Sequence, residues 1–193
     1  MNQYQLIALD MDGTLLNSKK QLSEGNRAAL ERAAAAGKQI ALSTGRCRPE
    51  LADYLAQIPG IRYLDCSSGA LVYDLKEQKE ICARRIQPEL IEAFIRYALE
   101  NDLMVHLLDQ KSYVWSRQLH QMEYYGMGVY QSLFARICTP LDQILEDYLA
   151  HPFPVEKFNF YHPSLEAREL TRKWIEQQQF PVTMAYSEIS SLE

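Results

Sequence analysis

Residues 4–15 read Tyr4-Gln5-Leu6-Ile7-Ala8-Leu9-Asp10-Met11-Asp12-Gly13-Thr14-Leu15, an apolar run that ends in acid and breaks at a glycine. With no polar alternation, the run from 4 to 10 reads as a strand covered on both faces that hands its last residue to a loop. Asp10 and Asp12 then stand two positions apart just past the strand. Gly13 permits a tight turn after them, and Thr14 offers a hydroxyl that can orient the carboxylates.

Downstream, strand and helix signals alternate. Ser23 as N-cap and Gly37 as C′ residue bracket a helix, and residues 38–42 (KQIAL) form a second strand that ends at Ser43-Thr44-Gly45-Arg46. Pro49 suits the first turn of another helix, running to residue 58 and stopped by Pro59-Gly60, before a third strand at 61–66. This βαβ rhythm predicts a parallel sheet with right-handed crossovers. After Ser68-Gly69 it gives way to an expected hairpin, with residues 70–73 and 81–85 flanking a polar turn.

A second unit is expected from about residue 86. It should hold an amphipathic helix at 88–101, strands at 103–108 and 113–116, and a helix over 117–125. A further helix should start at Thr139-Pro140 and run to 150, followed by a strand at 155–161, a helix at 164–178 and a last strand at 181–186. Helices alternating with strand pairs predict an antiparallel sheet with helices on one face. Glu156 and Lys157 read as a solvated strand face. His106, His120, His151 and His162 have no metal-site spacing and are expected to be satisfied in the core or exposed. Trp115, Tyr124, Tyr125 and Trp174 read as packing.

The 193 residues are 47% hydrophobic, enough to fill a core, and the formal charge of -5 comes from interspersed acids and bases. No basic stripe is present, so neither nucleic acid nor an anionic membrane is an expected partner. No apolar run approaches the roughly 20 residues that cross a bilayer, and the N-terminus lacks a basic-then-apolar leader pattern. The four cysteines are scattered, without a C-x-x-C pair, as reduced thiols of a cytoplasmic protein would be.

Two carboxylates so close together make an oxygen-rich site for a hard cation such as Mg²⁺, which is held by one or two carboxylates with phosphate and water completing its shell. A turn-forming D-x-D-G or a calcium loop is the competing reading, but the chain turns apolar at Leu15-Leu16 where calcium ligands would be needed. With a metal to offset charge repulsion, Asp10 can attack phosphorus, and Asp12 can serve as acid and then base. In a parallel sheet the carboxyl ends of neighbouring strands border one crevice, where the Thr44 hydroxyl and the Gly45 backbone can cradle a phosphoryl oxygen. Arg46 suits either a phosphate or a structural carboxylate.

Asp-x-Asp-Gly-Thr-Leu after a buried strand resembles the first motif of the haloacid dehalogenase (HAD) superfamily, and Ser43-Thr44-Gly45-Arg46 resembles its second. Their order, followed by Gly69-Ala70 and an α+β segment, is similar to the Cof-type branch of subfamily IIB, over essentially the whole chain. The resemblance implies an α/β fold, with a partial HAD-like Rossmannoid parallel-sheet core over residues 1–84 and an α+β substrate-specificity cap over 85–193. It implies a Mg²⁺-dependent phosphatase acting on a small phosphorylated metabolite, with Asp10 and Asp12 as catalytic and metal-binding residues. Thr44, Gly45, Arg46, Ser68 and Gly69 would contact the phosphate or substrate; where the branch has Asn, this chain has Ser68.

The resemblance further implies a Lys and an acidic pair beyond the cap. The 193-residue sequence reaches Glu193 without them. The expectation is therefore a shortened or half-core chain, whose first strand lies at a sheet edge open to self-association.

Overall fold

The computed structural model describes residues 4–58, 60–187 and 189–193, so the expected helix stop at Pro59 lies outside the described residues. The chain divides into two units, up to Arg84 and from Arg85 onward.

In the first unit, β1 (Leu6–Asp10) leads to α1 (Glu24–Ala35) and β2 (Gln39–Ser43). A 3₁₀ turn at Arg48–Leu51 runs into α2 (Ala52–Leu55), followed by β3 (Ile61–Cys66), β4 (Leu71–Asp74) and β5 (Lys79–Ala83). Ser23 caps α1 by accepting from the Asn26 amide at 3.2 Å, which satisfies one of the helix's orphan donors. The five strands lie in sequence order. β1, β2 and β3 are parallel, and β4 and β5 fold back antiparallel. Asp74 fixes the hairpin turn by accepting from the Lys76 and Glu77 amides and from Arg62. Ile40, Leu42 and Leu64 form the centre of the core, with Leu30 from α1, Leu51 and Met11 packed on them.

Two expectations for this unit are corrected. The helix from Pro49 is a 3₁₀ turn followed by a single short α-turn. β1 is not covered on both faces: Leu6, Ala8 and Asp10 are exposed along one side. β2 is its partner in the sheet, and no strand among the described residues pairs with its other edge.

The second unit contains α3 (Pro88–Glu100), β6 (Met104–Leu108), β7 (Ser112–Trp115), α4 (Ser116–Leu119), α5 (Gln131–Ile137), β8 (Cys138–Leu141), α6 (Ile144–Ala150), β9 (Lys157–Tyr161), α7 (Leu165–Gln178) and β10 (Ser191–Leu192). Its sheet runs β10-β9-β6-β7-β8, antiparallel except for the β7–β8 pair. Phe94 on α3 sits edge-on to Phe158, Phe160, Trp174 and Phe180, and Tyr97 stacks on Trp174 at 3.9 Å. Such aromatic pairs add about 0.5–1.5 kcal/mol each beyond the area they bury.

Four expectations are corrected here. Thr139-Pro140 does not start a helix but lies in β8, where an edge position tolerates proline's missing N–H. The helix begins at Ile144, and Asp147 accepts from the Gln143 amide at its start. The helix expected over 117–125 is reduced to α4, followed by turns. Residues 181–186 form no strand; Val182 and Met184 pack on the core, while Ala185 exchanges two backbone hydrogen bonds with Glu193. Glu156 and Lys157 are buried, with Lys157 paired to Glu193 and Arg85 4.0 Å from Glu156.

Two of the four histidines are buried. His106 lies between Ser112 and the Tyr161 hydroxyl, and His162 donates from Nδ1 to the Ser190 carbonyl. Burial pushes His106 down to about 3 from its usual 6.5, with the Lys157 charge adding to the effect, and burial lowers His162 as well. Below pH 6.5 the unfolded chain therefore takes up protons that these folded imidazoles refuse. Stability in urea should fall on acidification from pH 7 to pH 5, by up to about 1.4 kcal/mol per pH unit for His106. His106→Gln should flatten that dependence, and an unchanged slope in the variant would remove His106 as its source.

Candidate active site at the strand ends of the first unit

Asp10 is the last residue of β1 and is exposed there. The chain then folds tightly under it, with the Leu15 amide donating to the Asp10 carbonyl and the Leu16 amide to that of Met11. Met11 is fully buried, which anchors the loop in the core while Asp10 and Asp12 stay at the surface. Gly13 has φ +83°, a left-handed conformation that glycine adopts without strain.

Asp12 is gripped by two cations. Arg46 donates to it through Nε and Nη2, both at 2.9 Å, and Lys20 Nζ donates at 2.7 Å. Partial burial would by itself raise the Asp12 carboxyl, but the bonds and charges of Arg46 and Lys20 outweigh it and hold the group below the usual carboxylate range. The guanidinium also lies over the Tyr54 ring, 5.0 Å from its centroid. Of the two roles open to Arg46, the one present is the carboxylate partner.

Thr44 follows β2 and is buried. Its amide donates to the Asp65 carbonyl, and its hydroxyl accepts from the Arg46 amide at 3.3 Å. Gly45 beside it is exposed. After β3, the Ser67 and Ser68 amides donate to the carbonyls of Arg46 and Thr44, which binds this turn to the one after β2. Ser67, Ser68 and Gly69 take φ values of 52°, 56° and 94° in succession. Left-handed backbone costs a non-glycine residue of the order of 1 kcal/mol, and such strain persists only where surrounding bonds over-determine it. Ser68 and Gly69 are exposed at the same end of the sheet as Asp10.

All seven residues singled out in the sequence therefore lie at the carboxyl ends of three adjacent parallel strands. Two further participants carried no signal in the sequence. Lys20 looks like an ordinary loop lysine until the turn from Asn17 to Gln21 brings it back to Asp12. Asp65 looks like the polar end of a strand until the register sets it beside Ser43.

No cluster of three or more Asp, Glu, His or Cys side chains suited to a metal occurs among the described residues. Asp10 and Asp12 supply two carboxylates. That donor set fits a hard divalent cation whose other ligands are phosphate and water, although both Asp12 oxygens already face cations.

A family model described as haloacid dehalogenase-like hydrolase matches residues 7–177. YxeH of Bacillus subtilis (strain 168) is 31% identical over 132 residues, covering 66% of this chain and 49% of YxeH. A haloacid dehalogenase-like hydrolase from Bacteroides thetaiotaomicron superposes with a TM-score of 0.81 at 20% identity, over 98% of this chain and 70% of that one. The HAD subclass IIB sugar phosphatase BT4131 superposes with a TM-score of 0.73 at 17% identity, over 97% of this chain and 68% of its own. The chain thus spans about half the length of its relative YxeH. From a family match across most of its length, on a fold with paired aspartates at the end of the first parallel strand, the chain belongs to the haloacid dehalogenase-like hydrolases.

Proposed function

We propose that this chain carries the nucleophile half of a Mg²⁺-dependent phosphatase acting on small phosphorylated metabolites, of which sugar phosphates are the leading class. The observation that supports it best is the convergence of Asp10, the Asp12–Arg46 pair, Thr44-Gly45 and Ser68-Gly69 on one end of one parallel sheet. The sugar phosphatase BT4131, a structural neighbour, suggests the substrate class. The second unit would then be the cap that selects the substrate.

In this reading Asp10 attacks phosphorus, an Oδ–P bond forms and the ester P–O bond breaks. Asp12 protonates the departing alkoxide, then accepts a proton from the water that hydrolyses the aspartyl-phosphate and frees Asp10. Asp10 and Asp12 would hold the Mg²⁺, which when bound offsets negative charge between nucleophile and phosphate. Thr44 and Gly45 face the phosphoryl oxygens. The clamp on Asp12 favours its base form. Giving a proton to the alkoxide therefore requires Arg46 or Lys20 to relax, and an arriving phosphate dianion competes for both cations.

With p-nitrophenyl phosphate and Mg²⁺, turnover that Asp10→Asn abolishes is the expected result. Turnover untouched by Asp10→Asn would remove Asp10 as nucleophile, and phosphate binding with no turnover in either protein would favour a binding module instead. Because p-nitrophenolate leaves without a proton, the acidic limb of kcat reports Asp12 as the second-step base. Arg46→Ala removes its strongest partner, so that limb should move to higher pH, and a limb that stays in place would separate Asp12 from the rate.

The exposed side of β1 supports one further partner, a second copy of the chain. Its outer edge, which pairs with no strand among the described residues, and the exposed Tyr4 and Leu6 favour strand pairing between molecules. Sedimentation should show association that Leu6→Lys weakens; a wild-type chain monomeric at high concentration would count against it.

A further inference from the structure

Asp10, Ser43 and Asp65 are register partners on β1, β2 and β3. Their side chains therefore leave the same face of the sheet, with the serine between the two acids. Neighbouring strands lie about 4.8 Å apart, so the Ser43 hydroxyl can turn toward either acid by rotation about a single bond. It donates to Asp65 Oδ2 at 2.7 Å. A hydroxyl has one proton. Once given to Asp65, that proton is withheld from Asp10, and only lone pairs remain for Ser43 to present on its other side.

The Ser43–Asp65 bond is not needed to join β2 to β3. The backbone ladder already pairs Leu42 with Leu64 and Ser43 with Asp65, and the Thr44 amide donates to the Asp65 carbonyl at 2.8 Å just beyond. What the Asp65 side chain adds is a stronger acceptor for the Ser43 proton than any neutral group in its place. A charge-assisted hydrogen bond is roughly twice as strong as a neutral one. Donated to Asp10 instead, it would stabilise that carboxylate and withdraw the electron pair needed for attack.

We propose that Asp65 is a positioning residue for phosphoryl transfer, which keeps the Asp10 carboxylate uncapped by holding the Ser43 proton. The proposal rests on the reading of Asp10 as nucleophile and adds the group that keeps it reactive. Asp65 touches neither substrate nor phosphorus and acts only through Ser43.

The test uses a probe that needs no turnover. Trimethyloxonium esterifies carboxylates: an Asp10 oxygen attacks one methyl group, dimethyl ether leaves, and Asp10 becomes a methyl ester counted by peptide mass spectrometry. Asp65→Ala should slow esterification of Asp10 at least about five-fold, as expected when a carboxylate gains a hydrogen bond, while the exposed Glu31 reacts at its wild-type rate. Adding Ser43→Ala to Asp65→Ala should restore the Asp10 rate. An Asp10 rate unchanged in Asp65→Ala would overturn the proposal, and so would a slowing that Ser43→Ala does not relieve, because the cause would then be lost charge or lost fold. On p-nitrophenyl phosphate the same pair should give a fall in kcat and its recovery. A chain without turnover would end the phosphatase reading but leave the esterification result to stand or fall separately.

Discussion

The register of three parallel strands is the constraint on which the rest of the first unit depends. Since Asp10, Ser43 and Asp65 are partners across the sheet, the turns that follow them begin at the same level and open on the same side. A slip of one residue in either pairing would send one of these side chains to the opposite face, because side chains alternate with period two. The apolar centre formed by Ile40, Leu42 and Leu64 prevents that slip: each is fully buried, and a shift would carry them all out of the core. The geometry of the polar end is therefore maintained by the packing of the apolar middle.

Charge is distributed unevenly along that polar end. Asp12 has two cationic partners and little freedom, whereas Asp10, only two residues away, stands exposed at the end of its strand. Burial of Met11 between them separates the two environments, and one turn thus gives chemically identical side chains different properties. The two buried histidines of the second unit, His106 and His162, make the opposite case. They are polar groups taken into a core and kept neutral there, with hydroxyl and carbonyl partners and no anion.

Much of this was legible in the sequence because it was written in local signals. The Ser23 cap, the βαβ rhythm, the strand at 61–66 and the two Asp-bearing and Thr-bearing turns each follow from residues close together in the chain. The α/β fold with HAD-like neighbours followed from them. What the sequence did not disclose depended on contacts between distant residues. Thr139-Pro140 has the composition of a helix start, and pairing with β7 overrode it. The strand expected at 181–186 does not form although Val182 and Met184 pack on the core, because the ladder position beside β9 is taken by Ser191-Leu192. Lys20, Asp65 and the burial of Lys157 against Glu193 depend on which side chains meet across loops and strands, and no spacing rule encodes that.

Pro140 has a consequence beyond its place in β8. A strand that ends a sheet can template another only if its outward amides are available to donate, and proline has none to offer. In the second unit the edge strand β8 therefore carries its own interruption, and addition of a further chain is disfavoured at that edge, though not at the opposite edge formed by β10. The sheet of the first unit begins with five consecutive residues that contain no such interruption. The β8 edge is therefore a poorer template for fibrous assembly than the β1 edge, and that difference comes from one imino acid.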